Sequence, residues 1–209
     1  HRAEGYKPLL ADYRTLIVDE AHKLPEAVKQ MFGKNLCMDD IREMAYYLER
    51  EHQKEEARIL RTVMCDALHV VGAEQKIGKE IQETFRHTTD SVVSLWEGVE
   101  MLEFLLDQLE KCVPKWIRNR LEDAKEVLEC FCSSDEKYVR YLRLDTEQLP
   151  ILCAANREIP ELLQKMLWDW EEGISAILTS GTLKAGAGFL RTRQIIGLEG
   201  RAGVQEYVA

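Results

Sequence analysis

The chain has 209 residues, of which 45% are hydrophobic and 31% are charged, and its formal net charge is −9. This length and composition are typical of a globular protein with one large domain, or with a core and an added lobe. No apolar run reaches the roughly 18–20 residues of a membrane span, and the net charge is unlike that of a simple phosphate-coating protein.

The first predicted element is an apolar strand over 15–20 that ends in two carboxylates, within the sequence TLIVDEAHKLPE. Adjacent carboxylates in the middle of a buried strand would point to opposite faces, and burial of one would be costly. At the carboxyl end of a strand, both can enter the crevice where α/β sheets bind ligands. We therefore expect Asp19 and Glu20 to form part of a site.

The chemistry that this acidic pair favours is nucleotide hydrolysis with magnesium. Mg²⁺ keeps several waters and takes one or two carboxylates, while phosphates supply its other ligands. We assign Asp19 to Mg²⁺, held through water, and Glu20 to the attacking water, as in the Walker B half of a P-loop site. His22 would relay the nucleotide state to a neighbouring segment. The alternative is a strand that runs into a helix capped by Asp19.

A long acidic stretch with helical periodicity follows. No proline lies between 26 and 113, and apolar residues recur at helical spacing over about 41–48, 60–71, 92–109 and 117–131. We expect these stretches to form an all-helical lobe of four or five helices in antiparallel pairs, as the body of a helical insertion over 37–145. Residues 38–112 hold 17 Asp and Glu against 9 Lys and Arg, a balance of −8 that leaves −1 for the rest.

Tryptophans and cations in the lobe raise the question of nucleic-acid binding. A groove that holds a single strand needs positive charge and stacking rings. The sequence PKWIRNR at 114–120 supplies both, through Lys115, Trp116, Arg118 and Arg120. The alternative is that Trp116 packs in the core and the cations form a solvated face. We expect the other tryptophans, Trp96, Trp168 and Trp170, in the core or at an interface.

The last quarter of the chain returns to α/β patterning. Apolar runs at 137–144 and 149–155 precede a helix at about 158–170, in which Pro160 stands near the N1 position that proline prefers. A final strand over 174–180 ends in hydroxyl residues and a glycine. The lobe is therefore expected as an insertion between two α/β segments, 1–36 and 146–209.

These two α/β segments carry a resemblance to a known family. IVDEAHKLPE and ILTSGTL resemble motifs II and III of a superfamily 2 helicase, with residue-specific similarity at 16–25 and 176–183. The helical insertion resembles the arch of the DinG/XPD-like branch. The resemblance implies a predominantly helical chain with part of an α/β RecA-like (P-loop NTPase) motor domain. It also implies that Ser180, Gly181 and Thr182 couple hydrolysis to DNA movement, with Gly181 replacing the family's alanine.

The function implied by the resemblance is that of an ATP-dependent DNA helicase of repair or replication. Such an enzyme couples ATP hydrolysis to single-strand translocation and duplex unwinding. Its cofactors would be ATP and Mg²⁺, bound at Asp19 and Glu20. Its partners would be single-stranded and duplex DNA. The family's iron–sulfur cysteines, where present, precede motif II, so a cluster is conceivable in a longer parent protein and is not expected from the cysteines between 37 and 153.

One departure from the family pattern concerns the phosphate-binding loop. No G-x-x-x-x-G-K-[ST] occurs in the sequence, and the second motor domain with its arginine is also absent. We therefore expect a fragment that does not hydrolyse ATP alone. Two alternatives stay open: a non-catalytic helical interaction module with a degenerate DEAH sequence, and an RNA-directed DEAH ATPase.

The cysteines and the first residues bear on the compartment. None of the six cysteines forms a C-x-x-C pair, and the first ten residues lack the apolar region of a signal peptide. We expect reduced thiols, a cytoplasmic location and no membrane partner. The sequence leaves the oligomeric state open.

Overall fold

The chain divides into two compact units. One, the flanking unit, consists of residues 1–32 and 156–209, and the other, the inserted unit, of residues 33–155. The computed structural model describes residues 14–75, 83–133, 135–169, 175–184 and 188–208.

Along the chain, strands and helices alternate around a central run of long helices. The strands are β1 (Thr15–Val18), β2 (Lys34–Leu36), β3 (Glu83–Thr84), β4 (Tyr138–Leu144), β5 (Pro150–Asn156) and β6 (Ser175–Leu178). The α-helices are α1 (Leu24–Phe32), α2 (Met38–Arg50), α3 (Lys54–Gln75), α4 (Thr89–Gln108), α5 (Lys115–Cys132), α6 (Ile159–Leu163) and α7 (Leu190–Ile195).

The inserted unit is built on the four helices α2 to α5. Each helix contacts the next, and α5 also contacts α2, so the bundle closes on itself. The four periodic stretches of the sequence lie in these helices, and their inward side chains are excluded from water because that burial drives packing. Fully buried members of this core include Ile41, Leu60, Leu102, Leu121 and Phe131.

The prediction of an all-helical lobe is wrong, because the inserted unit also contains a four-stranded sheet in the order β2-β5-β4-β3. Its β2 runs antiparallel to β5, and β3 runs antiparallel to β4. Leu142 of β4 and Leu152 of β5 are fully buried and belong to the same core as the helices. The apolar faces of these strands are therefore buried within the inserted unit. The prediction that β5 belongs to the returning α/β segment is thus wrong.

One residue of the predicted core is exposed. Trp96 fits the helical spacing of α4, but 46% of its surface is accessible. Apolar residues occur all around α4, and Leu95, Val99 and Leu102 occupy the face that is turned inward. Trp96 follows Leu95 by about 100° of helical rotation, so it lies at the side of that buried face.

In its described residues, the flanking unit combines a parallel strand pair with three short α-helices. β1 and β6 are parallel, with Val18 opposite Leu178. Its core contains Trp168, which donates a hydrogen bond from Nε1 to the carbonyl oxygen of Ile196 at 2.6 Å. The predicted helix at 158–170 is observed as α6, with Pro160 in its first turn, and a π-helical turn from Gln164 to Trp168. Trp170 lies outside the described residues.

The strand pair of the flanking unit is open to solvent. Ile17 of β1 is 67% exposed and Ile177 of β6 is 49% exposed, in contrast to the expected buried strand. Parallel sheets usually have both faces covered. A RecA-like domain has a larger sheet than the two strands present in the described part of this unit, so that fold remains a prediction.

Two findings bear on the predicted environment of the protein. Among the described residues, none of the helices has the length and apolar character required to cross a bilayer. All six cysteines are free thiols. A cytoplasmic location stays a prediction.

The close approach of α4 to its neighbours generates a first prediction. A Cβ added at Gly98 would lie 2.8 Å from Cδ1 of the fully buried Leu128 and 3.5 Å from Sδ of Met64. We expect Gly98→Val to lower the free energy of unfolding by roughly 1–3 kcal/mol, because the added carbons overfill the core. Urea denaturation followed by circular dichroism measures this change.

A second glycine offers the matched control. Gly72 lies inside α3, and a Cβ there would meet Pro150 Cγ at an ordinary 3.4 Å. Gly72→Ala should leave stability unchanged or raise it by up to about 1 kcal/mol, because alanine favours helix. Equal stability of Gly98→Val and the unmutated chain would contradict the proposed close packing.

Candidate functional site

The carboxyl ends of β1 and β6 bring the two sequence motifs together. Backbone hydrogen bonds continue beyond the strands, from the Thr179 amide to the Val18 carbonyl and from the Ala21 amide to the Thr179 carbonyl, both at 2.9 Å. Because the strands are parallel, the residues that follow them lie at the same edge. The DEAH residues and the TSGT residues are therefore neighbours, although about 160 residues separate them in sequence.

Asp19 is held as a carboxylate at this edge. Its Oδ1 accepts hydrogen bonds from the Thr179 hydroxyl at 2.7 Å and from the Glu20 amide at 2.9 Å. The Thr179 hydroxyl, and to a lesser extent the Glu20 amide, hold the pKa of Asp19 below its ordinary value, since both stabilise the ionised form. Asp19 is exposed to solvent, and its Oδ2 accepts no hydrogen bond from any described residue.

Glu20 adopts an uncommon backbone conformation. Its φ of 50° and ψ of 43° lie in the left-handed region, which is costly for a residue with a Cβ. Glu20 directly precedes the 3-10 turn Ala21–Lys23, and its side chain does not cap that turn. The alternative in which Asp19 caps a helix is therefore wrong, since the residue that precedes the turn is Glu20 and its carboxylate does not cap it.

A chain of polar contacts joins Glu20 to the second motif. Glu20 Oε2 lies 3.0 Å from His22 Nδ1, and His22 Nδ1 lies 2.7 Å from Ser180 Oγ. Ser180 Oγ is also 3.3 Å from Glu20 Oε2 and 3.3 Å from Thr182 Oγ1, and it accepts a hydrogen bond from the Thr182 amide. A serine hydroxyl has one proton to donate, so its choice of acceptor depends on the tautomer and charge of His22.

The structure thus brings together five of the six residues predicted from the two motifs, namely Asp19, Glu20, His22, Ser180 and Thr182. Gly181 is exposed, and nothing lies within 4 Å of the position that a Cβ would occupy. The alanine of the family pattern would therefore fit here, so the substitution of glycine is sterically neutral.

The sequence placed the Thr179 hydroxyl at the same sheet edge but assigned it no role in the site, although it makes the shortest side-chain contact to Asp19. Its position, one residue beyond β6, was the available signal. In a parallel pair, this residue faces the residue that follows the other strand, which is Asp19.

The side chains at this edge of the strands limit the way in which Mg²⁺ could bind. Among the described residues, no group of three or more His, Cys, Asp or Glu side chains could hold a metal ion. An ionised Asp19 with one oxygen unengaged is a hard ligand of the type that Mg²⁺ takes singly, with water and phosphate oxygens completing its shell. Asp19 therefore fits a magnesium ion that takes one carboxylate from the protein, and the residues present do not resemble a preformed metal cage. Magnesium and nucleotide binding stay predictions.

The four residues predicted for nucleic-acid contact lie on α5 in the inserted unit. Trp116 is 45% exposed and packs edge-on against Tyr47, with ring centroids 4.6 Å apart. The ion pair of Arg120 with Glu43 has an N–O distance of 2.5 Å, and Arg118 donates to the Glu110 carbonyl at 3.3 Å. Lys115 is exposed and has no ion-pair partner in the described part of the chain. A role in nucleic-acid binding stays a prediction for all four.

Comparisons with known proteins leave the family open. No protein-family model and no curated protein matches the chain. Among solved structures, the chain is similar to Xpd4 of S. tokodaii, with 16% sequence identity and a TM-score of 0.41, over 80% of this chain and 33% of that chain. This chain thus spans about a third of the length of that protein. A similarity of this degree does not assign the chain to a family.

The contacts of Asp19 generate a second prediction. In Thr179→Val, the main hydrogen bond to the carboxylate is lost, so the pKa of Asp19 should rise toward its ordinary value. In the unmutated chain, the stability from ionised Asp19 is present above its unfolded pKa and is lost as the pH falls through the folded pKa. Carboxyl-carbon NMR titration of Asp19 measures the shift. Thr182→Val is the control, because Thr182 has no contact with Asp19, and a pKa unchanged in Thr179→Val would contradict the assignment.

Proposed function

We propose that this chain contributes the acidic half of an ATP-hydrolysing site to a DNA helicase. The observation that carries the proposal is the convergence of Asp19, Glu20 and Ser180 at the carboxyl ends of two parallel strands. Ligand sites of α/β proteins occur at this position. Backbone strain at Glu20 is a further property that often occurs at functional sites.

The two carboxylates have different environments and are assigned different roles. Asp19, held ionised by Thr179, would bind Mg²⁺ through water, and the ion would supply positive charge to neutralise the transferred phosphate. Glu20 would orient the attacking water and accept its proton. Its left-handed backbone turns the side chain toward His22 and Ser180 and away from the hydrogen bonds of Asp19.

The contacts among Glu20, His22 and Ser180 supply a relay between the two motifs. If His22 Nδ1 is unprotonated, the Ser180 hydroxyl can donate to it across the 2.7 Å contact. If Nδ1 carries a proton, it can donate to Glu20 and leave Ser180 to donate to Thr182 or Glu20. A change of charge at Glu20 would therefore change the hydrogen bonds of 180–182.

The phosphate-binding loop is proposed to come from residues outside 1–209. The sequence contains no G-x-x-x-x-G-K-[ST], so this chain has neither a loop of that type to hold the phosphates nor its lysine. We accordingly expect no ATP hydrolysis from the 209-residue chain. The proposed substrates of the longer protein are ATP and DNA, with single-strand translocation and duplex unwinding in repair or replication.

The second candidate is a non-catalytic helical interaction module. It is favoured by the missing phosphate-binding loop and by the paired state of Arg118 and Arg120, whose contacts with Glu110 and Glu43 compete with phosphate. In that case, the acidic pair would be a remnant. An RNA substrate is the third possibility, since the DEAH residues do not distinguish the two nucleic acids.

Hydrolysis by the full-length protein tests the proposal. We expect ATP hydrolysis stimulated by single-stranded DNA, and in Glu20→Gln a decrease of kcat by roughly 100- to 10,000-fold with ATP binding retained, because the general base is lost. Glu26→Gln is the matched control, since Glu26 is an exposed glutamate of α1. Absence of hydrolysis in the unmutated protein, with or without DNA or RNA, would overturn the enzyme proposal and leave the interaction module.

The relay generates a separate prediction. Ser180→Ala removes the hydroxyl that contacts His22 and Glu20, and it leaves both carboxylates in place. We expect fewer base pairs unwound per ATP hydrolysed, with DNA-stimulated hydrolysis reduced by less than in Glu20→Gln. Parallel assays of strand separation and phosphate release measure the ratio. If unwinding and hydrolysis fall in equal proportion, Ser180 has no coupling role.

A further inference from the structure

Helix α4 has a second apolar surface in addition to the one in the core. Its buried face includes Leu95, Val99 and Leu102. On another side, Val93, Trp96 and Phe104 are 51%, 46% and 53% exposed. Residues three, four or eight positions apart lie along one side of a helix, so these three form a stripe roughly 16 Å long, in which Glu97 and Glu100 of the same side stand between Trp96 and Phe104. An exposed stripe with a tryptophan is typical of a protein-binding surface.

The charge on α4 has one sign. The helix carries five carboxylates and no Lys, Arg or His. Of the five, Glu103 forms an ion pair, with Lys125 at 2.8 Å. The remaining carboxylates have no ion-pair partner within the described ranges, and like charges three or four residues apart repel one another. Those four are Asp90, Glu97, Glu100 and Asp107.

A groove between α3 and α4 extends the stripe. It has a volume of about 420 Å³. Val70 and Ala73 of α3 and Val93 of α4 supply its apolar walls. The carboxylates that line it are Glu74, Asp90 and Glu97.

We propose that this surface, which comprises Val93, Trp96, Phe104 and the adjoining groove, binds a basic amphipathic helix of a partner protein. Apolar side chains of that helix, repeated every three or four residues, would pack on the stripe and into the groove. Lysine and arginine side chains next to these apolar residues would pair with Glu97 and Glu100 within the stripe and with Glu74 and Asp90 at the groove. A cationic partner relieves the repulsion among the carboxylates of α4, so charge and shape select the same ligand.

Charge also disfavours two other molecules that could cover this surface, namely nucleic acid and a second copy of this chain. Nucleic acid would place phosphates against unpaired carboxylates, which repel them. A second copy of this chain, related by a two-fold axis through the stripe, would place one α4 against another and oppose carboxylates with carboxylates. The net charge of −9 on each copy adds to this repulsion. The basic helix is therefore the occupant that the surface favours, and it has no dependence on the proposed hydrolytic site.

Titration with a synthetic peptide tests the proposal. The probe is a fluorescently labelled 18-residue peptide of leucine and lysine, ordered so that the leucines fall on one side of a helix. Its control has the same composition in an order that has no helical periodicity. Added to the 209-residue chain, the amphipathic peptide should bind at least tenfold more tightly than its control, and its affinity should fall with rising salt.

Variants of the chain localise the binding. Trp96→Ala should weaken binding of the amphipathic peptide by about tenfold or more, as expected for a central aromatic anchor. The double variant Glu97→Lys with Glu100→Lys should weaken it at least as much. The matched controls are Tyr46→Ala, an aromatic residue 52% exposed on α2, and the double variant Glu51→Lys with Glu136→Lys, which replaces two exposed carboxylates outside the helices and changes the net charge by the same amount. Neither control should change the affinity by more than about twofold.

Several results would overturn the proposal. They are absence of binding, equal affinity for the two peptides, and equal affinity of the α4 variants and the unmutated chain. A concentration-dependent dimer in sedimentation that Trp96→Ala converts to monomer would instead assign the stripe to self-association. Circular dichroism verifies that each variant is folded, and Phe104→Ser replaces Trp96→Ala if that variant is not.

Discussion

The parallel pairing of β1 and β6 is the constraint on which the candidate site depends. Val18 opposite Leu178 places Asp19 beside Thr179, and the backbone bonds that follow hold the DEAH turn against the TSGT segment. A parallel pair requires a crossover connection, and here the crossover contains the whole inserted unit. The insertion is tolerated because the free-energy cost of closing a loop rises only slowly with its length.

The same register explains the difference between the two carboxylates. The hydroxyl of Thr179 reaches the first of them and stabilises its charge. The left-handed backbone at Glu20 turns the second toward His22 and Ser180. Thr179 thus contacts one of the two adjacent acids, and His22 and Ser180 contact the other. This difference in contacts is the basis on which separate roles in nucleotide hydrolysis are proposed for them.

The inserted unit buries one set of apolar side chains in its core and leaves another set exposed on its surface. Its helices and the sheet β2-β5-β4-β3 share one core, in which the inward sides of α2 to α5 are buried. The outward side of α4 keeps apolar and acidic residues that contribute nothing to that core. Val93, Trp96 and Phe104 stay in contact with water in the folded chain. Folding therefore does not remove the unfavourable free energy of hydrating their apolar side chains.

The sequence by itself determined the helices α2 to α5, the presence of the two strands and the polar residues at their ends, because local periodicity and strand-end chemistry are properties of neighbouring residues. The strands were predicted over 15–20 and 174–180 and are observed at 15–18 and 175–178. Tertiary structure decided that β5 joins the inserted unit, that Trp96 is exposed on a helix with apolar residues all around, and that Thr179 contacts Asp19. Each of these depends on which distant segment supplies a neighbour. The apolar pattern of a segment indicates that one of its faces will be buried. Which other segment contacts that face is decided only by the packing of the whole chain.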